Sequence, residues 1–268
     1  MNPAPIGIFD SGLGGLTVAH AISQRLPGES TIYFGDTARV PYGPKSPETV
    51  CRYSLEIMEW LLEQGVKAIV AACNTSTAHA LEALREAAPV PVFGVIEPGA
   101  RAAAAVARGA PIGVIGTWGT IRSGAYQCAI QAVFPEIEVV SKACPLLVPM
   151  VEEGWFNHPA TRMVAEEYLA PVRARNILTL VLGCTHYPLI KPLIQEVIGQ
   201  SVVLIDSAEE TAKAVAEAIR KGELEGRGGK GATHRFVVSD DPERFRRVGT
   251  GFLGERISKV EVVTLGTG

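Results

Sequence analysis

A chain of 268 residues can bury a large core and reaches the size at which single cores divide, so one or two domains are expected. Its 25 Lys and Arg against 28 Asp and Glu leave a net charge of −3 with no basic runs, which argues against nucleic acid or an anionic membrane as partner. No apolar stretch is long enough to span a bilayer and no signal-peptide pattern opens the chain, so a cytoplasmic protein acting on a small molecule is expected.

Ile6-Gly7-Ile8-Phe9 has the unbroken apolar character of a buried strand. It runs into the turn-forming Asp10-Ser11-Gly12-Leu13-Gly14-Gly15, after which Leu16, Ala19, Ile22 and Leu26 recur at helical spacing. Residues 31–34 read as a second strand, closed by Gly35-Asp36. The prolines and glycine of Arg39-Val40-Pro41-Tyr42-Gly43-Pro44 forbid regular structure. Ser46 before Pro47 predicts a helix start, and Leu55, Met58, Leu61 and Leu62 carry an apolar face to Gly65. Residues 68–71 predict the strand that ends near Cys73, residues 78–88 the helix after it, and residues 92–95 a fourth strand.

Past Glu97-Pro98 an alanine-rich helix is predicted to about residue 107, and then the chain starts again. Ala4-Pro5-Ile6-Gly7-Ile8-Phe9 is answered by Ala110-Pro111-Ile112-Gly113-Val114-Ile115, each followed by a Gly/Ser/Thr-rich turn and a helix ending near a proline. A strand at 137–140, a helix at 161–169, a strand at 178–182, a helix near 189–198 and a strand at 202–205 complete this half. A helix at 208–221 and a glycine-rich, charged link at 226–231 lead to a last small unit: strand 236–238, helix 242–253 and strand 260–263. Alternating apolar strands and amphipathic helices predict an α/β fold of two similar domains with mainly parallel sheets and a site in the cleft between them. The expected first domain is 1–97 plus 207–268, with the C-terminal segment packed back on it; the second is 98–206.

Five widely spaced cysteines, Cys51, Cys73, Cys128, Cys144 and Cys184, make no disulfide framework. Cys73 and Cys184 stand apart because each follows a predicted strand, where open α/β sheets bind ligands and where backbone dipoles favour the thiolate. Three chemistries compete for this pair: a zinc site with His186, for which no local chelate spacing exists; a cysteine nucleophile with His186 as base, which leaves the second thiol idle; and two-sided proton transfer, which uses both. The Ser11-to-Gly15 turn imitates a dinucleotide fingerprint but carries Thr17 where the third glycine belongs, and no lysine stands in a context that suggests pyridoxal phosphate. No cofactor and no metal are expected. Asp10, at a strand end, serves equally as a helix cap.

Phe9-Asp10-Ser11-Gly12-Leu13-Gly14-Gly15, Val40-Pro41-Tyr42-Gly43, Ala72-Cys73-Asn74-Thr75 and Gly183-Cys184-Thr185-His186-Tyr187-Pro188, in this order, closely resemble the glutamate racemases. The resemblance implies cofactor-independent interconversion of L- and D-glutamate, supplying D-glutamate for bacterial peptidoglycan, by an enzyme commonly found as a homodimer. Thr-His-Tyr-Pro after the second cysteine points to glutamate, since related aspartate racemases tend to carry Thr-Glu there. It further implies that Cys73 and Cys184 are the two acid/base residues, Asp10 supporting the first, His186 and Glu152 the second. Ser11, Pro41, Tyr42, Gly43, Asn74, Thr75, Thr185 and His186 would hold substrate, with Thr117 and Thr120 of Gly116-Thr117-Trp118-Gly119-Thr120 as further carboxylate contacts. Because the chain opens close to its first strand, without the extension some relatives use for regulation by a peptidoglycan precursor, no such activator site is expected.

Overall fold

The computed structural model describes residues 1–227, 231–254 and 257–266. The middle of the glycine-rich link, residues 228–230, lies outside them. The strands are β1 (Ile6–Asp10), β2 (Thr31–Gly35), β3 (Ala68–Ala71), β4 (Val92–Gly94), β5 (Ile112–Gly116), β6 (Val139–Ala143), β7 (Thr179–Gly183), β8 (Val203–Asp206), β9 (His234–Val238) and β10 (Glu261–Val262). Between them run α1 (Leu16–Arg25), α2 (Pro47–Glu63), α3 (Asn74–Ala87), α4 (Ile96–Val106), α5 (Trp118–Arg122), α6 (Ala125–Val133), α7 (Leu147–Glu152), α8 (Pro159–Arg173), α9 (Lys191–Ile198), α10 (Ser207–Lys221) and α11 (Pro242–Leu253).

Every residue of β1, β2, β3, β5 and β7 is buried, the mark of parallel strands covered by helices on both faces. The strands form two parallel sheets, ordered β10-β9-β2-β1-β3-β4 and β6-β5-β7-β8. The order 2-1-3-4 of the first recurs as 6-5-7-8 in the second. The repeat seen in the sequence thus has a spatial counterpart: β3, which leads to Cys73, and β7, which leads to Cys184, hold the same place in their sheets. β9 adds to β2 and β10 to β9, so the C-terminal segment extends the first sheet. α10 packs against both α1 and α4 and so bridges the two lobes, and the expected boundary at 97/98 falls inside α4.

β6 lies at Val139–Ala143 rather than 137–140, α7 was not among the expected elements, and three further differences have identifiable causes. α3 begins at Asn74 rather than 78, because Thr77 N bonds Cys73 O at 2.8 Å and turns the small polar residues into the first helical turn. The single helix expected after β5 is split into α5 and α6 by Gly124, whose φ of +68° lies outside any right-handed helix. A 3-10 turn, Tyr187–Ile190, precedes α9, whose early Pro192 is tolerated only in a first turn.

Under the first sheet, Lys67 and Glu29 form an ion pair with side chains 1 % and 7 % exposed. Lys67 Nζ also donates to Asn2 O at 3.1 Å. Lys67→Ala leaves the Glu29 carboxylate buried beside no cation, so it should destabilise the fold by about 3–5 kcal/mol in urea titrations. Lys67→Met with Glu29→Gln should recover much of the loss.

Candidate active site

A cavity of about 400 Å³ lies where the loops after the carboxyl ends of both sheets converge. The first lobe contributes Ser11 after β1, Pro41, Tyr42 and Gly43 after β2, and Cys73, Asn74 and Thr75 after β3. The second contributes Thr117 after β5, Glu152 at the end of α7, and Cys184, Thr185 and His186 after β7. Asp10 and Thr120 stand behind this wall, 0 % and 1 % exposed. Thr120 meets the hydroxyls of Thr117 and Thr75 at 3.1 and 3.4 Å, so it braces the wall from the rear. Tyr42 shows the cavity only its ring and backbone, since its hydroxyl donates to Asp36 Oδ2.

The lobes interlock at the rim. Gly119 N donates to Gly43 O at 2.9 Å, the hydroxyls of Thr75 and Thr117 lie 2.9 Å apart, and Thr17 Oγ1 donates to Thr185 O at 3.2 Å. These contacts hold the two cysteine-bearing loops against one space.

The two sulfurs have unlike surroundings. Burial pushes the Cys73 thiol up to about 11, helped by the nearby Asp10 carboxyl. The thiolate preference expected from its strand-end position is thus overturned for Cys73, because desolvation outweighs the dipole of α3. The Ser11 hydroxyl lies 3.7 Å from its sulfur. Asp10 itself bonds Gly12 N through Oδ2 at 2.9 Å, leaves Oδ1 without a partner among the described residues, and is raised by burial.

Cys184 faces a relay. His186 Nδ1 is 3.8 Å from Cys184 Sγ, His186 Nε2 is 3.0 Å from Glu152 Oε1, and Arg244 Nη2 donates to Glu152 Oε2 at 2.8 Å. Burial alone would lower the imidazole, but its bonds to Cys184 and Glu152 carry it up to about 10. Burial alone would raise Glu152, but His186 and Arg244 hold it below the usual carboxylate range. These partners favour the imidazolium form of His186, in which both nitrogens donate. Glu153, next in the chain, is exposed and takes no part.

This pairing has a measurable pH signature. A histidine raised in the folded state stabilises it fully below the ordinary value of about 6.5, and the gain is lost as pH rises through about 10. A depressed Glu152 adds stability above the ordinary carboxylate range. Glu152→Gln should thus cost about 2 kcal/mol near pH 6 and progressively less toward pH 10 in paired thermal melts. A gap that widens with pH would contradict the assignment.

Arg244 reaches the relay from α11, 92 residues from Glu152, and nothing in the local sequence marks it. Val40, Pro44, Trp118, Pro145, Val148 and Pro149 complete the wall with apolar surface and were not named as site residues, although Val40 opens the Val-Pro-Tyr-Gly motif and Trp118 lies within the Gly-Thr-Trp-Gly-Thr stretch. Among the described residues, no group of three or more His, Cys, Asp or Glu could hold a metal ion.

Residues 14–215 match the profile of the Asp/Glu/Hydantoin racemase family. The chain belongs to that family. Among relatives of this racemase, a glutamate racemase from Geobacter metallireducens is 57% identical over 260 residues, covering 97% of this chain and 96% of that one. Its fold superposes on a glutamate racemase isoform from Bacillus anthracis with a TM-score of 0.93 at 42% identity, covering 97% of each chain. A glutamate racemase from Francisella tularensis, solved with D-glutamate, gives 0.91 at 40% identity, covering 98% of each. The racemase is an amino-acid isomerase with two α/β lobes, and its four motif segments all border the cavity between them.

Proposed function

We propose that this enzyme interconverts L- and D-glutamate without a cofactor, with Cys73 and Cys184 as the two acid/base groups. One observation carries the mechanism: two cysteines, delivered by equivalent strands of two like-ordered sheets, border a single cavity. Inverting a stereocentre by proton transfer requires a base on one face of Cα and an acid on the other. Two thiols do both, and exchange roles with direction. The buried Cys73 holds its proton, as the acid must, while the His186 imidazolium faces the sulfur whose charge changes on the other side.

Cα–H is a very weak acid, so the carbanion and its enolate-like carboxylate need preorganised donors. The first-turn N–H groups of α3 and the side chains of Ser11, Thr75, Thr117 and Thr185 surround the cavity and suit that purpose, while the Asn74 side chain holds substrate beside them. Asp10 supports Cys73 through its charge; Glu152 and His186 support Cys184; Thr120 steadies Thr117 and Thr75; Pro41, Tyr42 and Gly43 close the first lobe's side. We place the first domain at 1–97 plus 207–268 and the second at 98–206, with α10 of the first packed against α4 of the second.

The product would supply D-glutamate for peptidoglycan, in the cytoplasm, from a homodimer. Five free cysteines favour a reducing compartment, and among the described residues no helix is long and apolar enough to cross a membrane. The test is purified protein with L-glutamate in deuterated water and no added metal or cofactor. Circular dichroism should decay to zero while deuterium enters Cα; aspartate should turn over far more slowly. Absence of α-exchange with glutamate, or dependence on added pyridoxal phosphate, would sink the proposal.

A further inference from the structure

Asn74 enters the cavity wall as the first residue of α3, directly after Cys73. It is 2 % exposed, and the two ends of its amide fare differently. Oδ1 accepts a 2.7 Å hydrogen bond from the Tyr126 hydroxyl. Nδ2 is buried and has no partner among the described residues, although it has two protons to give. An orphaned donor on a residue that lines a ligand-sized cavity needs an acceptor that the protein itself does not supply.

Tyr126 comes from the other lobe, in the first turn of α6, and is equally buried at 2 %. A glycine makes room for it: a Cβ on Gly183 would lie 3.0 Å from Tyr126 Cε2. Gly183 is the residue before Cys184. A single ring thus packs on the strand end that carries the second cysteine, while its hydroxyl holds the side chain beside the first. Burial raises the phenol above its ordinary range, so it keeps its proton and acts as a donor. A donor on this side fixes the amide with Oδ1 toward Tyr126 and the NH2 group away from it.

We propose that Tyr126 is a positioning residue: by donating to Asn74 Oδ1 across the lobe boundary, it presents the Nδ2 protons to a carboxylate oxygen of the bound amino acid. The assignment rests on the glutamate mechanism above. Without the tether the amide can rotate by half a turn, and its oxygen then repels the carboxylate that its nitrogen would bind.

Tyr126→Phe keeps the ring and its packing on Gly183 and removes only the hydroxyl. KM for L-glutamate should rise about tenfold with kcat within about twofold, because a carboxylate contact is made before proton transfer and kept through it. Asn74→Ala should raise KM as well, and adding Tyr126→Phe to it should bring no further increase, since the tyrosine then has nothing to orient. An unchanged KM in Tyr126→Phe, or full additivity of the two substitutions, overturns the assignment. Wild-type protein that leaves glutamate unchanged overturns the racemase mechanism and this assignment together, and that result is read before any variant is compared.

Discussion

Cys73→Ser and Cys184→Ser should each lower kcat for racemisation by about a thousandfold, the scale of losing one positioned acid or base. Serine keeps the shape but holds its proton far too tightly to serve as a base near neutrality. The loss should be one-sided. Each variant retains one competent thiol, so it should still exchange the α-proton of the enantiomer that presents its hydrogen to that sulfur, while exchange of the other is abolished. Proton NMR of D- and L-glutamate in deuterated buffer reads this directly, and the two variants should show opposite preferences. Equal exchange of both enantiomers by either variant, or wild-type turnover in one, would disprove the two-thiol scheme. A non-catalytic binding protein would register neither substitution.

Gly14→Ala should have the second-largest effect, although the residue has no functional group. A Cβ there would lie 2.2 Å from Thr185 Oγ1 and 2.5 Å from His186 Nδ1. The His186 ring is tied to Glu152, and although the Thr185 hydroxyl can turn aside, its backbone is held by the bond from Thr17. The methyl must push the loop after β7 away from the first lobe, shifting the Cys184 relay. Displacements of about 1 Å in a positioned site cost on the order of a hundredfold in kcat/KM. Overpacking also lowers stability by about 1–3 kcal/mol, so rates should be measured well below the melting transition. Full activity in a folded Gly14→Ala protein would show that the two loops are not in register with one another as described.

Both predictions concern contacts between segments far apart in the chain, and this is where sequence reasoning stops. Buried parallel strands announce themselves as short apolar runs, so β1, β3, β5 and β7 were legible, as was the helix begun by Ser46 and Pro47, where Ser46 accepts from Thr49 N at 3.3 Å. Gly124 was not, because an isolated glycine between helix-forming residues does not reveal its φ. The cysteines were conspicuous by position after strands, but their electrostatics were not. Burial of Cys73 depends on the whole lobe, and the charge on His186 depends on Glu152 and Arg244, which approach from 34 and 58 residues away. Arg244 lies beyond the stretch that the family profile matches, on a helix capped by Asp241, whose φ of +45° the sequence does not announce.

The unlike settings of the two sulfurs, one deep beside Asp10 and one against an imidazolium, bear on how turnover data from this enzyme must look. Mirror-image amino acids have the same free energy in water, so the specificity constants for the forward and reverse directions are obliged to coincide whatever the residues do. Chemical asymmetry between the arms can surface only as compensating differences in saturation and maximal velocity, and as unequal isotope effects for the two hands. A compound that captures one resting protonation form would therefore appear competitive against one enantiomer and mixed against its mirror image.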